Sequence, residues 1–151
     1  MWPFKKRVDA LAPKIPKTSQ PPAQDRDLLQ ELGSGIVEAA HDPAGKVLLY
    51  VEAEDGKISS DIFSQVSGAP VRYRYSPEWL KDIIWSYRES EPPSSRWATM
   101  AFVVSEGRFS VDLSYPDQLN PEEYLIDRRP RVVQAHFGEA TVDYSTPDAA
   151  D

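Results

Sequence analysis

The sequence predicts an α+β fold, an antiparallel sheet of about five strands with helices packed mainly on one face. Three features carry that expectation. Two strand-like runs, residues 97–104 and 108–115, meet at Glu106-Gly107. In the second run Phe109, Val111, Leu113 and Tyr115 alternate with Arg108, Ser110, Asp112 and Ser114, the period of two that marks a half-buried strand. Two earlier runs, 46–54 and 57–65, flank a Glu-Asp-Gly turn in which Gly56 suits the positive φ of a tight hairpin. Between the hairpins, Trp79, Leu80, Ile83, Ile84 and Tyr87 form one stripe at helical spacing behind Ser76-Pro77, a capping residue followed by a first-turn proline.

The other elements follow in chain order. Residues 1–23 mix Pro3, Pro13, Pro16, Pro21 and Pro22 with basic and small residues, which predicts a disordered basic, Pro-rich tail. From Asp25 a stripe of Leu28, Leu29, Leu32, Ile36, Ala39 and Ala40 predicts a helix that stops at His41-Asp42-Pro43. Gly33 and Gly35 lie inside it. Each interior glycine costs about 1 kcal/mol relative to alanine, so either the helix bends there or another element crosses close to the glycine surface. Val71, Tyr73 and Tyr75, alternating with Arg72 and Arg74, predict a strand. Residues 97–104 are apolar on both faces, which places that strand inside the sheet. Beyond Pro116 a short helical segment is expected, interrupted by Pro130, with a last turn or helix through Val132, Val133 and Phe137. One domain is thus expected over 24–138, followed by a flexible acidic tail over 139–151.

The formal net charge of −7 is unevenly distributed. Lys5, Lys6, Arg7, Lys14 and Lys17 against Asp9 give +4 over residues 1–23, leaving −11 for the rest. Such a field repels nucleic acid and anionic membrane and speeds encounter with a basic partner. The chain has no cysteine, which excludes disulfides, thiolate metal sites and cysteine nucleophiles. There is no long apolar run and no secretory pattern at the start, so a soluble, cytoplasmic protein without stable membrane association is expected.

Catalytic patterns are sparse. His41 and His136 are the only histidines, without a second one a helical turn away to complete a metal site. No Gly-x-Ser-x-Gly, Ser-x-x-Lys or phosphate-cradling loop occurs. The expectation is a protein that is not an enzyme and holds no cofactor. Arg72-Tyr73-Arg74-Tyr75 and Arg128-Arg129-Pro130-Arg131 resemble nucleic-acid contacts in composition, but in an acidic chain they read as local ion pairs. Asp61, Asp112, Asp117, Glu122, Glu123 and Asp127 are of the type that supplies an acid/base pair or binds a divalent cation, but nothing in their spacing makes two of them converge, so they read as an acidic surface that suits a cationic partner. Trp85, opposite the apolar stripe of its helix, either covers another element or serves as a contact hot spot.

Taken with the order of elements, Val47-Leu48-Leu49-Tyr50-Val51-Glu52, the helix containing Trp79-Leu80, Trp97-Ala98-Thr99-Met100-Ala101-Phe102 and 107–115 (Gly-Arg-Phe-Ser-Val-Asp-Leu-Ser-Tyr) resemble the YezG-like immunity proteins over approximately residues 28–129. The resemblance implies an α+β antitoxin of a bacterial polymorphic-toxin system that binds and blocks a cognate toxin domain, often a nuclease. The basic tail and the segment after Asp127 depart from the family pattern, and no contact residues are carried over. Two other readings stand beside it: an adaptor domain for an unrelated protein, and a small-ligand binder or hydrolase with a deep polar pocket.

Overall fold

The computed structural model describes residues 5–9, 23–41, 45–54 and 56–145, with the side chains of 5–9 and 23–26 left undescribed. The order of elements is β1 (Lys5–Asp9), α1 (Ala23–Ala40), β2 (Lys46–Glu54), β3 (Lys57–Gln65), β4 (Val71–Tyr75), α2 (Glu78–Glu89), β5 (Thr99–Ser105), β6 (Arg108–Ser114), α3 (Leu125–Phe137) and β7 (Val142–Asp143). The fold is α+β. Its sheet has seven strands in the order β1-β6-β5-β2-β3-β4-β7. Every pairing is antiparallel except the short parallel one between β4 and β7.

The two strands beyond the expected five come from segments expected to be tails. Lys5–Asp9 pairs with β6 from Lys5↔Ser114 to Asp9↔Ser110, so these five residues are an edge strand. The physical reason is that β6 offers a free side to any extended segment, and extended backbone needs no favourable helix propensity. The rest of the predicted N-terminal tail lies outside the described residues, apart from Ala23 at the start of α1. At the other end, Val142–Asp143 joins β4, with the Val71 N–H donating to the Thr141 carbonyl at 2.8 Å. Residues 142–143, expected in the flexible acidic tail over 139–151, are thus a strand of the sheet, and 146–151 lie outside the described residues.

Burial on β2 explains the layering. Val47, Leu49, Val51 and Ala53 join the core under α1 and α2, whereas Leu48 and Tyr50 face α3 with Phe63, Val71 and Val133. Two helices cover one face and α3 the other. The 97–104 run is interior as expected, with β5 between β6 and β2. At the β5–β6 turn Glu106 (φ 54°) and Gly107 (φ 75°) both take the left-handed conformation that matches the twist of a two-residue hairpin.

The glycines of α1 do not break it. A Cβ on Gly33 would lie 3.3 Å from Phe109 Cδ2, and one on Gly35 would lie 2.9 Å from Leu80 Cδ1 and 3.0 Å from Trp79 Cζ3. Gly33 thus lets the sheet approach and Gly35 lets α2 approach. At the start of α2, Pro77 occupies the cap position and Ser76 makes no capping bond. The Ser76 hydroxyl is buried without a partner among the described residues, so the expected serine cap is not formed. The Pro77 carbonyl instead accepts from Leu80 and Lys81 N–H at 3.0 and 3.1 Å.

In α3, Pro130 lies within one continuous helix instead of dividing two. Proline removes the N–H that would reach the Ile126 carbonyl. Pro130 and Ile126 are both exposed, so the freed carbonyl is on a side open to solvent.

Gly35→Val places branched methyls against buried Leu80, and overpacking of this kind costs about 1–3 kcal/mol. Equilibrium denaturation should show a lower midpoint with the slope preserved.

Candidate partner-binding surface

Two arginines of α3, Arg128 and Arg129, hold that helix to the sheet, and a third, Arg131, ties it to the connection that precedes it. Arg128 donates to Glu52 of β2 from Nε at 2.6 Å and Nη2 at 3.1 Å, and from Nη1 to the Glu123 carbonyl at 3.0 Å. Arg129 Nη1 donates to Asp61 of β3 at 3.0 Å. Arg131 grips Glu123 with Nε at 2.9 Å and Nη2 at 2.8 Å. The local ion pairing expected of this arginine cluster is present. Arg72 and Arg74 alternate with Tyr73 and Tyr75 along β4, and alternate strand residues point to opposite faces, so the two residue types do not interleave on one surface.

Tyrosines complete the network. Tyr50 donates to Glu52 Oε2 at 2.5 Å and Tyr73 to Asp61 Oδ1 at 2.7 Å. Across the sheet, Tyr115 donates to Glu91 Oε2 at 2.7 Å, while the other Glu91 oxygen accepts from the Trp97 N–H at 3.0 Å. Burial, followed by the hydrogen bond to a carboxylate, raises the proton affinity of all three phenols well above their ordinary pKa of 10.0. The Arg131 guanidinium holds Glu123 below the usual carboxylate range.

This arrangement fixes the path of the chain from β6 into α3. Tyr115 N–H donates to Gln118 Oε1 at 2.7 Å, Gln118 N–H to the Tyr115 carbonyl at 2.8 Å, and Glu122 N–H to Asn120 Oδ1 at 2.9 Å. Arg128 then ties the Glu123 carbonyl to β2. The segment is therefore positioned by bonds along its whole length.

The predicted contact residues divide in this frame. Asp117, Glu122 and Asp127 are exposed on the bonded segment. Glu123 belongs to the same segment, but its carboxylate is engaged by Arg131. Asp61 is only 5% exposed and is held by Arg129 and Tyr73, so it is a structural anion and not part of an outward contact face. Its place on an alternating strand fixed which face it pointed to, while α3 covering that face was not visible in the strand itself. Asp112 is half-buried on β6, and Trp85 is half-buried on α2 across the sheet from α3. Neither extends the acidic segment.

Two residues of this surface escaped the sequence reading. Tyr124 is 68% exposed and Ile126 77% exposed. Ile126 stands seven residues before Val133 and hence within about 20° of it around the helix, yet Val133 is buried at 5%. The apolar stripe of α3 therefore continues past the part that the sheet covers. Large apolar side chains amid Asp117, Glu122 and Asp127 have the composition of a contact patch with a polar rim.

Beside the segment lies a groove of about 680 Å³. Buried Ala53 and Ala98 and half-buried Ser59 line its inner part, Pro116, Leu119 and Leu125 one wall, and exposed Glu54 and Lys57 its rim. Arg88 and the Glu52–Arg128 pair also border it. Among the described residues no group of three or more His, Cys, Asp or Glu is placed to hold a metal ion, and no helix is long and apolar enough to cross a membrane. No protein-family model and no curated protein matches the chain.

Arg128→Met should destabilise by about 3–5 kcal/mol, because it leaves Glu52 without its cation in a buried setting. Arg131→Ala, on the exposed helix surface, should cost no more than about 1 kcal/mol in the same denaturation assay.

A pH titration tests the phenols. Below pH 10 both states keep the Tyr50 proton, so its contribution is complete. Above 10 the unfolded chain releases the proton while the folded chain retains it. Stability should fall with rising pH there, by up to about 1.4 kcal/mol per pH unit for Tyr50. Tyr50→Phe should flatten that alkaline slope.

Proposed function

We propose that this chain is an immunity protein, a cytoplasmic antitoxin that binds a cognate toxin domain and neutralises it by steric and electrostatic occlusion without turning over a substrate. The observation that carries the reading is the exposure of Tyr124 and Ile126 on a braced segment whose outward charges are Asp117, Glu122 and Asp127. Aromatic and aliphatic anchors inside a charged rim supply affinity through desolvation and specificity through the rim. The resemblance of residues 28–129 to YezG-like immunity proteins supports the same reading. A nuclease toxin, which must hold phosphates, presents a basic cleft, and an acidic segment that borders such a cleft gains association rate from electrostatic steering.

The test is co-expression with the toxin encoded beside this gene, read as cell survival and co-purification. Survival and a stable complex are expected. Absence of both overturns the proposal and favours an adaptor domain for an unrelated protein. In the complex, Tyr124→Ala with Ile126→Ala should raise Kd by at least about tenfold, the effect of losing interface anchors. The free protein should keep its stability, since neither side chain is buried. Asp117→Asn, Glu122→Gln and Asp127→Asn together should slow association and weaken its salt dependence.

A further inference from the structure

We infer that the groove beside residues 116–125 is a receptor pocket for an apolar side chain carried on a basic segment of a protein partner. This rests on the partner-binding reading above and assigns it a specific point of engagement. The volume of about 680 Å³ is in the range of pockets that bury a compact group. Its inner surface is made of small residues. Ala53 and Ala98 are fixed against each other by a backbone hydrogen bond of 2.8 Å, and Ser59 of β3 lines the groove beside them. Ala53 belongs to the core cluster under α1 and α2, whereas Ser59, opposite Glu52, lies on the face that carries Tyr50 and Phe63 under α3, so the groove wraps the end of the sheet where both faces end in small side chains, and among the described residues no side chain fills it. Leu119 and Leu125 supply an apolar wall.

Charge selects the occupant. Residues 116–127 hold Asp117, Glu122, Glu123 and Asp127 and contain no lysine or arginine. The arginines at the groove are already engaged: Arg128 by Glu52 and the Glu123 carbonyl, Arg88 Nε by the Trp97 carbonyl at 2.8 Å. An anionic ligand would have to displace those bonds against the field of the segment; at the rim exposed Lys57 stands opposite Glu54, so the charge that a lysine or arginine beside the inserted side chain meets is that of exposed Asp117, next to Pro116 of the wall. A second copy of this chain is disfavoured, because a two-fold contact would set the acidic segment against itself. The partner's anchor enters the groove while Tyr124 and Ile126 project towards the partner, giving contact in both directions.

The experiment selects binders from a displayed library of random dodecapeptides on the immobilised full chain, then titrates the best peptide, fluorescently labelled, against variants. Enriched peptides should carry a Leu, Phe or Trp flanked by Lys or Arg. Leu119→Lys, which replaces the wall with a like charge, and Ser59→Trp, which fills the groove, should each weaken binding at least about tenfold, and Trp85→Ala should leave it unchanged. If circular dichroism shows Ser59→Trp unfolded, Leu119→Lys decides. No enrichment, enrichment of acidic or uncharged peptides, or equal affinity for Leu119→Lys overturns the inference. The neighbouring toxin separates it from the proposed function. Neutralisation with undiminished affinity by Leu119→Lys removes the groove and leaves the function standing. Peptides that need the groove, together with a toxin that does not bind, remove the function and leave the groove standing.

Discussion

The Glu52–Arg128 pair is the interaction on which the geometry of the α3 layer depends. Arg128 joins the middle strand of the sheet, the first turn of α3 and the carbonyl of Glu123 through one guanidinium. A planar fork with fixed donors imposes distance and angle together, which an apolar contact does not. Withdrawing both charges from water has a cost that the ion pair alone does not reliably offset. Here the carboxylate also accepts from Tyr50, and the remaining guanidinium donor reaches a backbone oxygen. The pair thus sets where α3 sits and how residues 116–124 run, more than it adds to the total stability.

The two faces of the sheet solve different problems. Under α1 and α2 the contacts are apolar and close, with Gly33 meeting the Phe102–Phe109 stack and Gly35 meeting α2. Apolar burial of that extent supplies most of the driving force for folding. The α3 face combines a smaller apolar cluster with the ion pairs of Arg128 and Arg129. A helix fixed by directional bonds does not need its whole stripe covered, so Ile126 stays exposed at one end while Val133 is buried further along. Pro130 fits the same picture, since a lost hydrogen bond on the open side is tolerated when the arginines beside it hold the helix in place.

Much of this was legible in the sequence, and the reasons differ by element. The hairpin of β5 and β6 was readable because strand period, turn residues and burial agree. The α2 stripe was readable for similar reasons, although its cap was not, because Pro77 and Ser76 both suit the position and only the packing decides. β1 and β7 were hidden: pairing with an existing edge requires extended backbone and proximity, and neither leaves a strong period in five or two residues. Among the carboxylates, sequence identified Asp117, Glu122 and Asp127 as outward, since they lie in a polar connection. It could not separate Asp61 from them, because Asp61 is buried by a partner, Arg129, sixty-eight residues away. Ile126 carried a usable signal in its seven-residue spacing to Val133, but that spacing reads as core until the end of the sheet is known.

The same pairing that positions the segment also determines its potential. A carboxylate bridged to a guanidinium contributes little field at a distance, so Glu52, Asp61 and Glu123 are largely cancelled by Arg128, Arg129 and Arg131. Asp127 precedes the same arginines in the chain, but their guanidiniums are turned to Glu52, Asp61 and Glu123, so among the described residues Asp117, Glu122 and Asp127 are in no ion pair and their charges add. Screening limits this field to about 8–10 Å at moderate salt, and exposed Tyr124 and Ile126 lie between Glu122 and Asp127 in the chain. Apolar anchors and negative potential consequently coincide in space. Under the proposed function, a partner steered by the field would arrive where desolvation can hold it, and one lacking positive charge would meet the same anchors without the steering.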